Sequence, residues 1–139
     1  MTEQTACAST DSITVSLVDG DATIRHARQI MLRSEHYDVR SYPTCAALLA
    51  DPRSRASQCI VVDIDTNEVD GIALLREMRA TGWQGKAILL GRIEPDSPLT
   101  RAAERHGDKV LPRTIADGPL IAAIAASADR DWAGWNAVA

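Results

Sequence analysis

The fold is decided by the stretch Cys59-Ile60-Val61-Val62-Asp63-Ile64-Asp65-Thr66-Asn67-Glu68-Val69-Asp70-Gly71. Four apolar residues run without a break into an aspartate, and a second carboxylate follows two positions later. A short continuous apolar run bounded by polar residues predicts a strand buried on both faces, which is typical of a parallel sheet covered by helices. In such sheets ligands bind beyond the carboxyl ends of the strands, so Asp63 is expected where a reactive group would lie.

The composition indicates one soluble globular domain. The chain has 139 residues, of which 45% are apolar and 24% are charged, and this length allows a sizeable core. A formal charge of -4 and a pI near 5.3 argue against a standing nucleic-acid surface, which requires a basic face. No apolar run approaches the length of a membrane span, and the first residues lack the pattern of a secretion signal.

The cysteines indicate a reducing, cytoplasmic environment. Cys7, Cys45 and Cys59 are odd in number and widely spaced, with no Cys-x-x-Cys motif, so neither a zinc site nor a disulfide framework is expected. Cys59 could be a reactive thiol, but its place inside an apolar strand favours a small core residue.

Hydrophobic periodicity and turn signals predict five strands alternating with five helices. The strands are expected at residues 13–18, 37–42, 59–63, 86–90 and 110–111. The helices are expected after an Asp21 cap, at residues 43–49, 71–79 and 98–106, and from about residue 119. This order predicts a five-stranded parallel, doubly wound α/β sheet of the flavodoxin-like kind.

The same pass along the chain predicts the domain limits. Residues 1–12 are polar and are expected to form a loose N-terminal segment. Residues 13–128 form the domain, and residues 129–139 are a tail that holds Trp132 and Trp135. No output domain is expected after the tail, so any output is expected to pass through a partner.

Acidic residues follow the first and third strands, which are central neighbours in a sheet wound this way. Asp19 and Asp21 are therefore expected to approach Asp63 and Asp65 at one edge. Converging carboxylates repel each other unless a hard cation such as Mg²⁺ neutralises them. An aspartate beside such a cation can attack a phosphoryl group. The candidate metal ligands are Asp19, Asp63 and, more weakly, Asp65, which is expected to face the site mainly through its backbone.

Several motifs resemble the receiver domain of bacterial two-component response regulators, over roughly residues 13–126. They are Leu17-Val18-Asp19, the strand at 37–42 with its short following helix, Val61-Val62-Asp63, Asp70-Gly71, Leu75 and Gly82. The resemblance implies that Asp63 is the phosphoacceptor and Mg²⁺ the cofactor. It implies a histidine kinase, a phosphotransfer protein or a downstream protein as partner, with a homodimer as a further possibility.

The departures from that family pattern predict a degraded pocket. Gly20 occupies the position of the second acid, which in the family coordinates the metal directly. Leu90, Gly91 and Arg92 offer no hydroxyl at the end of the fourth strand, and Arg113 replaces the family's lysine with a planar fork. Gly91 and Arg113 are therefore the candidate phosphate-site residues. Together, these departures predict a divergent receiver, or pseudo-receiver, whose signal does not depend on phosphorylation of Asp63.

The resemblance also predicts an interaction surface, formed by the fourth helix, the fifth strand and the fifth helix. Its candidate residues are Leu99, Arg105, Val110, Leu111 and Ile121. Three arginines of the first helix, Arg25, Arg28 and Arg33, are interpreted as solvated charges, with kinase docking as the alternative.

A different class of protein shares part of the central motif. Asp63-Ile64-Asp65-Thr66 also resembles the Asp-x-Asp-x-Thr motif of haloacid-dehalogenase-type phosphatases, in which the first aspartate is the nucleophile and the second is the acid/base. That motif usually lies on the first strand, whereas here it follows the third, and the chain leaves little room for a lid. A non-enzymatic signalling role is therefore favoured.

Overall fold

The computed structural model describes residues 12–64, 71–92, 97–105 and 107–127. The strands are β1 (Thr14–Val18), β2 (Asp38–Tyr42), β3 (Cys59–Asp63), β4 (Lys86–Leu90) and β5 (Lys109–Leu111). They form one sheet in the order β2-β1-β3-β4-β5, and every neighbouring pair is parallel. The predicted five-stranded parallel sheet is confirmed, and β1 and β3 lie side by side at its centre.

Helices connect the strands. They are α1 (Ala22–Ser34), α2 (Cys45–Ala50), α3 (Gly71–Ala80), α4 (Pro98–Arg105) and α5 (Asp117–Ser127), together with a 3-10 helix, Pro52–Ala56. The 3-10 helix was not expected from the sequence. Asp51 ends α2, and its side chain then accepts a hydrogen bond from the Arg53 backbone N–H at 3.0 Å, which caps the new turn. Helix α5 begins at Asp117, two residues before the predicted start near Pro119.

Side-chain caps fix where α1 and α4 begin. The Oδ1 atom of Asp21 accepts hydrogen bonds from the backbone N–H groups of Thr23 and Ile24 at 3.0 and 3.1 Å. This is the predicted N-cap, which satisfies amide groups that have no partner within the helix. Ser97 caps α4 in the same way, through a 3.1 Å bond from the Thr100 N–H. Because Asp21 starts α1 directly after β1, the second turn of α1 lies close to the carboxyl edge of the sheet.

The core has two layers, one on each face of the sheet, and β3 is fully buried between them. On one face, Cys59 and Val61 pack against residues of α1 and α5, which are Leu32, Leu120, Ala123 and Ile124. On the other face, Ile60 and Val62 pack against residues of α2 and α3, which are Leu48, Leu74, Leu75 and Met78. Burial raises the pKa of the Cys59 thiol to about 12, so this cysteine is the inert core residue that its position predicted.

The end of α3 needs a glycine. Gly82 has φ +95°, a left-handed conformation that side chains with a Cβ atom rarely adopt, and its N–H donates to the Arg79 carbonyl at 3.0 Å. The predicted helix stop is therefore a C-terminal cap.

The predicted N-terminal segment, apart from Ser12, and the predicted tail with Trp132 and Trp135 lie outside the described residues. Within the described part of the chain, none of the helices combines the length and the apolar character that crossing a bilayer requires.

Candidate functional site

Two buried aspartates meet at the carboxyl edge of the sheet. Asp19 follows β1 and Asp63 ends β3, and both residues are 0% exposed. Because Val18 pairs with Val62 in the parallel ladder, the next residues of the two strands are neighbours. The Nη1 atom of Arg28 is 3.2 Å from Oδ2 of Asp19 and 3.3 Å from Oδ2 of Asp63. The structure thus brings together the two carboxylates that the sequence placed at one edge.

Arg28 is the site residue that the sequence interpretation missed. Its side chain is 12% exposed, so its assignment as a solvated charge is wrong. The physical reason is helical spacing: Arg28 lies four residues after Ile24 and four before the buried Leu32, on the face of α1 that packs against the sheet. A charge on that face has to find buried partners, and Arg28 finds them at the carboxyl edge.

Arg113 completes the ionic contacts from the loop after β5. Its Nε atom donates to Oδ2 of Asp63 at 2.7 Å, and its backbone carbonyl accepts from Nη2 of Arg28 at 3.0 Å. The hydrogen bond to Asp63 raises the pKa of the Arg113 guanidinium. One oxygen of Asp63 therefore accepts from two guanidinium groups, one from α1 and one from the loop after β5.

The pocket places the carboxylates of Asp19 and Asp63 together, and this arrangement affects the pKa of Asp19. Burial raises the pKa of the Asp19 carboxyl, and the charge of Asp63 raises it further. A hydrogen bond from the Asp21 N–H at 2.8 Å and the charges of Arg28 and Arg113 act in the opposite direction. The two arginines thus offset part of a repulsion that the convergence of the two strands creates.

The described donor set does not fit Mg²⁺, the ion that the family resemblance implies. Mg²⁺ binds through one or two carboxylates, keeps several waters and requires near-octahedral geometry around itself. Gly20 supplies no side-chain oxygen, and no cluster of three or more potential side-chain ligands exists among the described residues. The Oδ2 atoms of Asp19 and Asp63 both face the Arg28 guanidinium, which repels a cation. Asp65, the weaker candidate ligand, lies outside the described residues.

The other predicted phosphate-site residue is Gly91, directly after β4. It is buried, and its N–H donates to the Leu111 carbonyl at 3.0 Å. This amide therefore extends the ladder between β4 and β5. Arg113, its predicted companion, contacts the Asp63 carboxylate directly.

The predicted interaction surface mixes exposed and half-buried positions. Arg105 is exposed at the end of α4. Val110, Leu111 and Ile121 are half-buried and pack against the core clusters. The side chain of Leu99 lies outside the described part of the structure.

A family profile and a curated protein both match most of this chain. The profile of the "Response regulator receiver domain" family matches residues 15–125. The "Transcriptional regulatory protein FixJ" of Azorhizobium caulinodans is 29% identical over 121 residues, which cover 86% of this chain and 57% of that protein. The chain thus spans little more than half the length of this curated relative.

Solved structures show the same fold. The chain is similar to the structure described as "FixJ-N", with a TM-score of 0.71 and 21% identity over 86% of this chain and 96% of that one. It is similar to the "BeF3 Activated DrrB Receiver Domain", with a TM-score of 0.71 and 19% identity over 86% and 99% of the two chains. At these identities the likeness concerns the fold alone.

Proposed function

This chain belongs to the response regulator receiver domain family, and from that premise we propose that it is an atypical receiver with a degraded phosphoryl pocket. Receiver domains act in two-component systems, in which they interact with kinases or phosphotransfer proteins. The observation that carries the proposal is the position of the Arg28 Nη1 atom, 3.2 and 3.3 Å from the carboxylates of Asp19 and Asp63.

The contacts of Asp63 argue against efficient phosphoryl transfer. Its Oδ2 atom accepts from both Arg28 and Arg113, and an oxygen whose lone pairs are held in this way is a poor nucleophile. A charge-assisted hydrogen bond contributes about 1.5–3 kcal/mol, or roughly one to two decades in an equilibrium constant. Asp63 can act as a nucleophile only after such bonds break. The phosphorylated product would also lack stabilising groups, because neither Gly20 nor Gly91 has a side chain that could contact it.

Signal output in this proposal passes through protein contacts in the cytoplasm, without enzymatic turnover. The surface of α4, β5 and α5 meets a histidine kinase, a phosphotransfer protein, a downstream protein or a second copy of the chain. The exposed Arg105 and the half-buried Val110, Leu111 and Ile121 contribute to that surface. An acidic chain of net charge -4 supports a protein partner over a nucleic acid.

The phosphatase alternative has no observation in its favour. The family match and the solved relatives are receivers. The Asp65 and Thr66 positions on which that alternative depends lie outside the described residues.

Incubation with acetyl phosphate and Mg²⁺, followed by intact-mass measurement, tests the proposal. The wild-type chain is expected to stay unmodified. A typical receiver, which has two acids after the first strand and a hydroxyl at the end of the fourth strand, is the positive control and is expected to gain a phosphoryl group. The Asp63→Asn variant is the control for modification elsewhere. Stoichiometric modification of the wild type that disappears in this variant would show a working phosphoacceptor and overturn the proposal.

A further inference from the structure

Arg28 joins three separate parts of the sheet edge. Its Nη1 atom contacts the carboxylates that follow β1 and end β3, and its Nη2 atom donates to the Arg113 carbonyl after β5. A guanidinium has five N–H donors in a rigid fork, so one side chain can hold all three segments at once. Only 12% of the Arg28 side chain is exposed, so its charge is largely removed from water. The three acceptors compensate for the lost hydration of this charge.

The position of this charge coincides with the place where a divalent ion would bind. An Mg²⁺ ion that bridged Asp19 and Asp63 would lie about 2.1 Å from an oxygen of each. Arg28 Nη1 is 3.2 and 3.3 Å from the Oδ2 atoms of these carboxylates, so an ion between these two oxygens would lie against a positive group. The guanidinium and the ion are therefore alternatives.

We infer that Arg28 is a built-in cation that takes the place of the divalent ion, so that the chain neutralises its own acidic pocket and does not bind Mg²⁺. This inference deepens the proposed function and rests on its assignment of the pocket to a receiver. The charges match: two carboxylates, from Asp19 and Asp63, face two guanidiniums, from Arg28 and Arg113. Metal concentration then has no effect on the state of the pocket.

Metal binding to matched variants tests the inference. Arg28→Met removes the charge and keeps most of the length of the side chain. Arg33→Met is the control, because Arg33 lies on the same helix and donates to a backbone carbonyl, that of Val39 at 3.0 Å, but is exposed. The double variant Arg28→Met/Gly20→Asp also supplies the carboxylate that position 20 lacks. Each protein is titrated with Mn²⁺, with free ion followed by electron paramagnetic resonance, and unfolded in urea with and without Mg²⁺.

The wild type and Arg33→Met are expected to show no saturable binding and no shift of the urea midpoint with Mg²⁺. Arg28→Met is expected to be stabilised by Mg²⁺. The double variant is expected to bind Mn²⁺ at least about tenfold more tightly than the wild-type limit, because one charge-assisted contact is worth a decade or more. Saturable binding to the wild type that shifts the Asp19 and Asp63 amide resonances would overturn the inference, as would a folded Arg28→Met variant that gains no metal response.

Loss of Arg28 leaves two buried carboxylates with one guanidinium, so Arg28→Met could fail to fold. In that case Arg28→Gln decides, because it removes the charge but keeps an amide that can donate hydrogen bonds to the carboxylates. A gain of Mg²⁺-dependent stability in Arg28→Gln supports the inference, and its absence overturns it. The outcomes remain separable from the proposed function: labelling of wild-type Asp63 by acetyl phosphate contradicts that function, whereas the metal responses concern Arg28 alone.

Discussion

The two ends of the sheet each hold a buried aspartate beside an arginine, yet the two arrangements differ in their electrostatics. At the amino end, Oδ1 of Asp108 accepts from Arg79 at 2.8 Å and from the Ala87 N–H at 3.1 Å. Arg79 also lies over the Trp83 ring, with its guanidinium carbon 5.3 Å from the centroid. At the carboxyl end, two carboxylates converge and share guanidiniums.

The contrast separates a structural ion pair from a site. The Asp108 contacts connect α3, the start of β4 and the start of β5, and the buried carboxylate has a guanidinium of opposite charge. The carboxyl end places Asp19 next to Asp63, and the pKa of Asp19 is raised by burial first and then by the charge of Asp63. Stability alone does not explain such an arrangement, and unfavourable electrostatics of this kind cluster at functional sites.

The largest expected effect comes from the same substitution at both ends. Asp108→Asn should lower the free energy of unfolding by about 2 kcal/mol, because it removes the charge that pairs with a partly buried guanidinium. Asp63→Asn should lower it by less than about 1 kcal/mol, because the amide oxygen still accepts from Arg113, Arg28 keeps Asp19 as a partner, and the repulsion between the two carboxylates disappears. Urea unfolding of both variants beside the wild type measures the difference.

Equal losses of stability in Asp63→Asn and Asp108→Asn would mean that the carboxyl-end pocket is an ordinary structural ion pair.

A smaller effect is expected in the pH dependence that Asp19 contributes. Its pKa is higher in the folded chain than the ordinary value of 3.8, so the folded state holds the proton more tightly than the unfolded state. Stability contributed by this group is present below pH 3.8 and is lost as the pH rises through the higher folded value. The wild type should therefore lose stability relative to Asp19→Asn as the pH rises from about 3.5 to 7. Unfolding curves of both proteins across that range measure the trend. A wild type that gains stability relative to Asp19→Asn as the pH rises would contradict the raised pKa of Asp19.

The sequence predicted the sheet and the pairing of Asp19 with Asp63 because both depend on local rules. The unbroken apolar run before Asp63 indicated a doubly buried strand, and the strand order then placed the two residues at one edge. The amino-end cluster could not be predicted in the same way. Asp108 lies in a turn beside a short strand, and its contacts with Arg79 and Ala87 depend on how α3 packs against the sheet.

Arg28 shows the limit of interpreting charges from composition alone. A helix with arginines at positions 25, 28 and 33 suggests a solvated face, and Arg33 is indeed exposed. The spacing of Arg28 from Ile24 and Leu32 nevertheless places it on the buried face of α1. This helix comes soon after β1, which an acidic residue follows directly. A cation on the inner face of a helix that follows such a strand is the signal from which the contact of Arg28 with the two carboxylates could be predicted.

The central claim is that Arg28 and Arg113 occupy the carboxyl-end pocket in place of a metal ion and a phosphoryl group. Its most direct test is a titration of the wild type with beryllofluoride and Mg²⁺, followed by amide NMR and a measurement of oligomeric state. Beryllofluoride imitates a phosphoryl group on an aspartate and needs both a free carboxylate and a metal ion. We expect the amides of Asp19, Asp63 and the α4, β5 and α5 surface to keep their chemical shifts and the oligomeric state to stay unchanged. A saturable shift of the Asp63 amide that spreads to that surface would contradict the central claim.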